Sequence, residues 1–292
     1  MENNIETGKI IKILGGFYYI YAKDRVIECR ARGNFRNDKI KPVVGDIADF
    51  RVPENEENLG YLEKIHKRKN YLVRPPVSNI DQSIVVFAVE SPNPNFILLD
   101  KFLINSLKEN IEPIICINKI DLDKDKAVEI GKSYEKSGFK VILTSKHINE
   151  TLNDIKSVLK NKTTVFAGPS GTGKSSLLNV VKPGLNLKTG EISRKLKQGK
   201  HTTRHVEMIE IIKNSWVVDT AGFSNLNLKG IDKYNLKDYY YEFEDYYCKF
   251  SDCIHNKEPG CQVRKAVEKK EISELRYKNY LKMLSELMEG VY

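Results

Sequence analysis

Gly168-Pro169-Ser170-Gly171-Thr172-Gly173-Lys174-Ser175 is the stretch whose reading decides the fold. It has the form G-x-x-x-x-G-K-[ST]; an apolar segment, 163–167, leads in, and a helically spaced one, 175–181, leads out. Strand, glycine-rich turn and helix in that order make a phosphate-binding loop. Glycines let the backbone bend round an anion, so that successive N–H groups and the start of the helix point at it. Lys174 is expected to neutralise the β- and γ-phosphates and the Ser175 hydroxyl to ligate magnesium, with Ser176 beside them on the phosphate-binding side.

Asn118-Lys119-Ile120-Asp121 follows the apolar segment 114–117. A carboxylate there accepts from both the N1–H and the N2 amine of guanine. Adenine offers no such donor pair and would leave it unpaired, a penalty of roughly 1–3 kcal/mol or more. Asn118 would tie this loop to the phosphate loop, and the Lys119 stem would lie over the base. Taken with the phosphate loop, the motif indicates GTP rather than ATP. Thr144-Ser145-Lys146, 26 residues after Asn118, occupies the place of the loop that touches the guanine carbonyl.

Asp219-Thr220-Ala221-Gly222 follows the apolar segment 215–218 and has the D-x-x-G form. Asp219 is expected to bind magnesium through water, and the Gly222 N–H to meet the γ-phosphate. Thr202 and Thr203 stand where a threonine closes over magnesium; the sequence does not choose between them, and Thr203 is grouped with Lys174 in the catalytic set. In an ordinary GTPase the phosphate loop comes first and N-K-x-D comes late. Here the order is 118, 144, 168, 202, 219, which assembles the same contacts only if the domain is circularly permuted. A chain cut and rejoined near its own termini keeps its packing.

Outward from this region, residues 69–230 alternate apolar strands with helical segments, the pattern of a parallel sheet covered by helices. Residues 1–68 hold strands at 9–14, 17–22, 26–31 and 47–52, punctuated by turn residues. They suggest a small barrel of OB type, for which an SH3-like barrel would look nearly the same. Arg30, Arg32, Arg36, Lys39 and Lys41 lie in or beside a loop after the third strand and suit a nucleic-acid face. Residues 231–292 form a third, mainly helical domain that contains Cys248-x4-Cys253-x-His255-x5-Cys261. Three thiolates and one imidazole are a complete tetrahedral set for one structural zinc ion, with no position left open for catalysis.

The 292 residues are 40% hydrophobic and 30% charged, the balance of a globular protein. No apolar run approaches the ~18 residues of a membrane span. The first eight residues lack the apolar core of a signal peptide, so a cytoplasmic protein is expected. Forty-eight basic and 39 acidic side chains give a net charge of +9, consistent with a polyanionic partner. Nothing requires more than a monomer.

The permuted motif order, G-P-S-G-T-G-K-S, D-T-A-G-F and the C-x4-C-x-H-x5-C spacing together resemble the ribosome small-subunit-dependent GTPase family, RsgA (also called YjeQ), over essentially the whole chain. The resemblance implies a late-acting assembly factor that binds the small ribosomal subunit near its decoding region and hydrolyses GTP to GDP and phosphate when bound. It implies that barrel and zinc module both contact ribosomal RNA. It also points to His201, in Gly199-Lys200-His201-Thr202-Thr203, as the group that orients water. Phe223 stands where many GTPases carry a water-orienting glutamine, so isolated turnover should be slow. Ala221 replaces a usual proline and Arg204 a common third threonine; neither removes a contact group. Two other classes fit less well: a P-loop ATPase or kinase, against N-K-I-D and D-T-A-G, and a non-hydrolysing RNA-binding scaffold, against the intact Lys174, Ser175 and Asp219.

Overall fold

Alternation of buried and exposed side chains shapes the N-terminal sheet. The structure, a computed structural model, describes residues 5–31, 41–53, 59–73, 75–185, 187, 206–218, 228 and 230–290. β1 (Ile5–Leu14), β2 (Phe17–Ala22), β3 (Arg25–Ala31), β4 (Ile47–Arg51) and β5 (Leu59–Ile65) close into a barrel in the order β1-β2-β3-β5-β4. β1 pairs antiparallel with both β2 and β4, while β3 and β5 run parallel with Glu28 opposite Leu59. This five-strand Greek-key order is that of an OB-fold rather than an SH3-like barrel. Ile10, Ile20, Ile27, Phe50 and Leu62 fill its interior. On its surface the Arg30 guanidinium lies 4.8 Å from the Phe17 ring; Arg32, Arg36 and Lys39 fall outside the described residues.

Sequence reading missed β5: one of its two buried positions is Gly60, which carries no apolar side chain, and Glu63-Lys64 breaks the run. A short hairpin, β6 (Tyr71–Val73) and β7 (Pro76–Ser78), follows the barrel. Buried Asp46 fixes it, accepting from the Val43 N–H, the Ser78 hydroxyl and the Arg68 guanidinium.

The chain divides into two compact units. One comprises Met1–Gln82, Val158–Phe166 and Glu191–Gly222; the other comprises Ser83–Ser157, Ala167–Gly190 and Phe223–Tyr292. In the first, β11 (Thr163–Ala167) pairs parallel with β13 (Ser215–Val218), and β12 (Met208–Ile212) pairs antiparallel with β13. In the second, β8 (Gln82–Ala88), β9 (Glu112–Asn118) and β10 (Lys140–Thr144) lie in the order β10-β9-β8, with β9 and β10 parallel. β8, β11 and β13 are buried at every position, which is why they read as continuous apolar runs. Helices α1 (Phe96–Lys108), α2 (Lys124–Glu135), α3 (Thr151–Leu159) and α4 (Lys174–Val181) alternate with these strands.

The C-terminal segment of the second unit has two 3-10 turns, Leu236–Tyr239 and Tyr241–Phe243, then α5 (Gln262–Glu268) and α6 (Glu274–Met288). Tyr240, Phe243, Tyr280 and Met283 form its core, and Ile104 of α1 packs into the same cluster. A buried ion cluster fastens α6 to α1. The Arg276 guanidinium meets Asp100 at 2.5 Å and Glu242 at 2.9 Å, and the Asn279 amide donates to Asp100 at 2.7 Å. Among the described residues no helix is long and apolar enough to cross a membrane.

Candidate functional site

β11 delivers the chain to Gly168, and α4 starts at Lys174, so the six residues between them form the turn from strand to helix. Two of its glycines have no substitute. Gly168 (φ 125°) and Gly173 (φ 97°) lie in the left-handed half of backbone space. A Cβ on Gly168 would sit 2.0 Å from the Val86 carbonyl oxygen, and one on Gly173 would sit 2.3 Å from the Asn118 amide nitrogen.

That second contact joins two motifs that lie 50 residues apart in the chain. β9 ends at Asn118, whose Nδ2 donates to the Thr172 carbonyl at 2.8 Å. The Thr144 hydroxyl, at the end of β10, donates to Asn118 Oδ1 at 3.2 Å. Ser145 donates to the Asp121 carboxylate and accepts from the His147 N–H at 3.0 Å. The Lys119 ammonium donates to the Ser91 carbonyl. Asn118, Lys119, Asp121, Thr144 and Ser145 are thus gathered with Gly168–Ser175 at one end of parallel β9 and β10 and beside the start of α4, where an α/β sheet offers ligands its N–H groups.

Lys174 is only 7% exposed, and its ammonium donates to the Gly168 and Pro169 carbonyls at 2.7 and 2.6 Å. Burial strips it of water and pushes its pKa down to about 8. Ser175 is buried at the first turn of α4, Ser176 is half-buried beside it, and Thr172 closes the loop by donating to the Pro169 carbonyl at 3.0 Å. Ser170 and Gly171 are exposed on the rim. His201, Thr202, Thr203, Asp219 and Gly222 lie outside the described residues, as do Arg204, Ala221 and Phe223.

A second constellation sits in the C-terminal segment. The Sγ atoms of Cys248, Cys253 and Cys261 lie 3.6, 3.5 and 3.4 Å from His255 Nδ1, Cys248 and Cys261 are 3.8 Å apart, and all four ligand atoms fall within 4.8 Å of one another. A tetrahedral ion with Zn–S of about 2.3 Å and Zn–N of about 2.0–2.1 Å sets ligand edges of roughly 3.5–3.8 Å, so this donor set fits a metal ion of that size. Burial pushes the His255 pKa down to about 4, which keeps the imidazole neutral and its nitrogen free to ligate.

Outer contacts hold the four donors in place. The Gln262 N–H donates to Cys248 Sγ at 3.3 Å. The Tyr277 hydroxyl donates to the His255 carbonyl at 2.7 Å, and the Tyr280 hydroxyl to the Ile254 carbonyl at 2.6 Å. Glu258 accepts from the Ile254 and Asn256 N–H groups, both at 2.8 Å.

Residues 65–229 match the family described as RsgA GTPase, and residues 7–62 match the RsgA N-terminal domain. The chain belongs to the RsgA GTPase family. Its enzymatic class is therefore GTP hydrolase. It is 45% identical to the small ribosomal subunit biogenesis GTPase RsgA of Alkaliphilus metalliredigens, over 98% of this chain and 99% of that one. The protein of the same name from Clostridium novyi is 47% identical over 97% of this chain and 98% of its own. Among solved structures the chain is similar to YloQ, described as a circularly permuted GTPase (38% identity, TM-score 0.82, covering 98% of this chain and 96% of that one). It is also similar to YjeQ from Thermotoga maritima (36% identity, TM-score 0.86, 97% and 99%).

Sequence reading did not find the Ser91 carbonyl, the tyrosine hydroxyls behind the Cys/His cluster, or the Asp100–Arg276 pair. Tyr277 and Tyr280 carry the spacing of core residues, and their polar role appears only once the hydroxyls are seen to reach two carbonyls. A backbone carbonyl such as that of Ser91 leaves no trace in side-chain chemistry.

Proposed function

We propose that this RsgA-family chain binds the small ribosomal subunit during its late maturation and hydrolyses GTP to GDP and phosphate, with hydrolysis stimulated by the subunit. The observation that carries the nucleotide reading is the 2.8 Å hydrogen bond from Asn118 to the Thr172 carbonyl. It fastens a guanine-type motif to a phosphate loop across the permuted order. In this reading Asp121 pairs with the guanine N1–H and N2 amine, Thr144 and Ser145 brace the base loop, and residues 168–176 cradle the phosphates. Lys174 supplies the charge that offsets the β- and γ-phosphates.

Ser175 and Asp219 would hold magnesium, which would neutralise charge on the phosphates, while the Gly222 N–H would meet the γ-phosphate. Thr202 or Thr203 would close over that ion. His201, to which the family resemblance points, would orient the attacking water; Phe223 can neither donate nor accept the hydrogen bond that a glutamine would make there. Cys248, Cys253, His255 and Cys261 would hold one zinc ion with a structural role, because a full set of four protein ligands leaves no open position.

The three working parts are an OB barrel over 1–68, the permuted GTPase over 69–230 and a zinc module over 231–292. Barrel and zinc module contact ribosomal RNA, and the chain works as a cytoplasmic monomer. The relatives named as small ribosomal subunit biogenesis GTPases, covered almost end to end, support this partner, and so does the +9 charge. Co-sedimentation with purified small subunits tests it. Retention is expected with a non-hydrolysable GTP analogue, falling with GDP and dropping steeply as salt rises. No retention at low salt with either nucleotide would contradict it.

A further inference from the structure

The segment joining β8 to α1, Glu90-Ser91-Pro92-Asn93-Pro94-Asn95, belongs to none of the nucleotide motifs, yet it contacts one of them and borders another. The Lys119 ammonium donates to the Ser91 carbonyl, Lys126 Nζ lies 3.2 Å from Glu90, and the Val89 N–H donates to the Asn118 carbonyl at 3.0 Å. On the other side, Pro92 Cδ would lie 3.7 Å from a Cβ on Gly171, at the crown of the phosphate loop. A small cavity runs alongside, lined by Pro92, Pro94 and Asn95 with Pro169, Ser170 and Thr172. Ser91 (φ 50°) and Lys119 (φ 61°) both occupy the left-handed region. Residues other than glycine hold it only where their surroundings fix them, and such residues cluster at ligand clamps.

We infer that residues 90–95 form an additional wall of the guanine-nucleotide site and position both its halves. The Ser91 carbonyl anchors the far end of Lys119, so the four-carbon stem is held as a fixed platform for the purine. Pro92 stands beside Gly171 and bounds the crown of the phosphate loop on that side. An ammonium left untethered would let the stem swing, and each nucleotide-binding event would then have to order it again. Ser91 and Pro92 are positioning residues: they act through Lys119 and Gly171. The inference rests on the reading that this site binds a guanine nucleotide.

Hydrogen exchange of the full-length protein with and without GDP, beside calorimetric titration of GDP, tests it. Peptides spanning 90–96 should gain protection on GDP binding. Pro92→Ala should release GDP about tenfold faster and raise KM for GTP about tenfold while kcat falls by less than about twofold, a split that a purely structural role would not produce. Lys119→Met keeps the stem and removes its anchor; it should still bind GDP through Asp121 but lose the protection gained at 90–96. GDP binding with unchanged exchange at 90–96, and affinities of both variants within about twofold of wild type, would overturn the wall and leave the guanine site standing. No heat of GDP binding to wild type would overturn the guanine reading itself, and the wall with it.

Discussion

At the scale of single residues, the account rests on Asp121 and Lys174. Replacing Asp121 by Asn puts an amide where two hydrogen-bond acceptors stood. That amide cannot take both guanine donors, but its N–H can meet the carbonyl that xanthine carries at the same ring position. GDP affinity should fall roughly 10–100-fold and xanthosine diphosphate should become the tighter ligand, as competitive titration would show. Lys174 makes a pH prediction. Burial lowers its pKa from 10.5 to about 8 in the folded chain, so the destabilising cost of the buried ammonium is fully present below about pH 8 and fades as pH rises towards 10. Phosphate binding needs that ammonium charged. GDP affinity should hold steady near pH 7 and weaken above about pH 8, by up to tenfold per unit. Lys174→Arg, which stays charged, should lose this dependence even if it binds more weakly.

At the scale of elements, the C-terminal segment depends on two polar devices. The Cys/His cluster ties the loop at 248–261 to the start of α5. Metal analysis should find one equivalent of zinc, and chelation should expose the amides of α5 and α6 to exchange while GDP affinity changes by less than about twofold. Arg276 is the second device, with no exposed surface and two carboxylate partners. Arg276→Ala would leave the buried Asp100 and Glu242 without their cationic partner, Asp100 keeping the Asn279 amide, a loss of about 3–5 kcal/mol. Exchange protection of α6 should report it; protection within about 0.5 kcal/mol of wild type would mean that the cluster is not what holds α6 to α1.

Elements also mark the limits of legibility. α1 to α4 and the buried strands could be read because their signals are local: continuous apolar runs for the strands, helical spacing for the helices, and a lysine-serine start for α4, whereas the caps Asn95 and Asp123 became visible only in the structure. β5 could not, because one of its two buried positions is a glycine and the charged pair Glu63-Lys64 interrupts its apolar run. Nor could the Asp100–Arg276 pair, whose partners lie 176 positions apart with ordinary surface-type side chains.

At the scale of the whole molecule, the order of motifs carried the most information. Asn118, Thr144 and Gly168 occur in a sequence that no unpermuted GTPase allows, and the chain's similarity to a structure described as a circularly permuted GTPase agrees with that reading. The contact that makes the order physically workable is Asn118 on Thr172, where glycine at 173 leaves room for the amide. What sequence cannot convey at this scale is coupling. The most direct measurement is GTP hydrolysis by the purified protein, alone and with purified small ribosomal subunits. The account predicts slow turnover alone, strong stimulation by subunits, and loss of both in Lys174→Ala. Hydrolysis that subunits leave unchanged, or that survives Lys174→Ala, would contradict it.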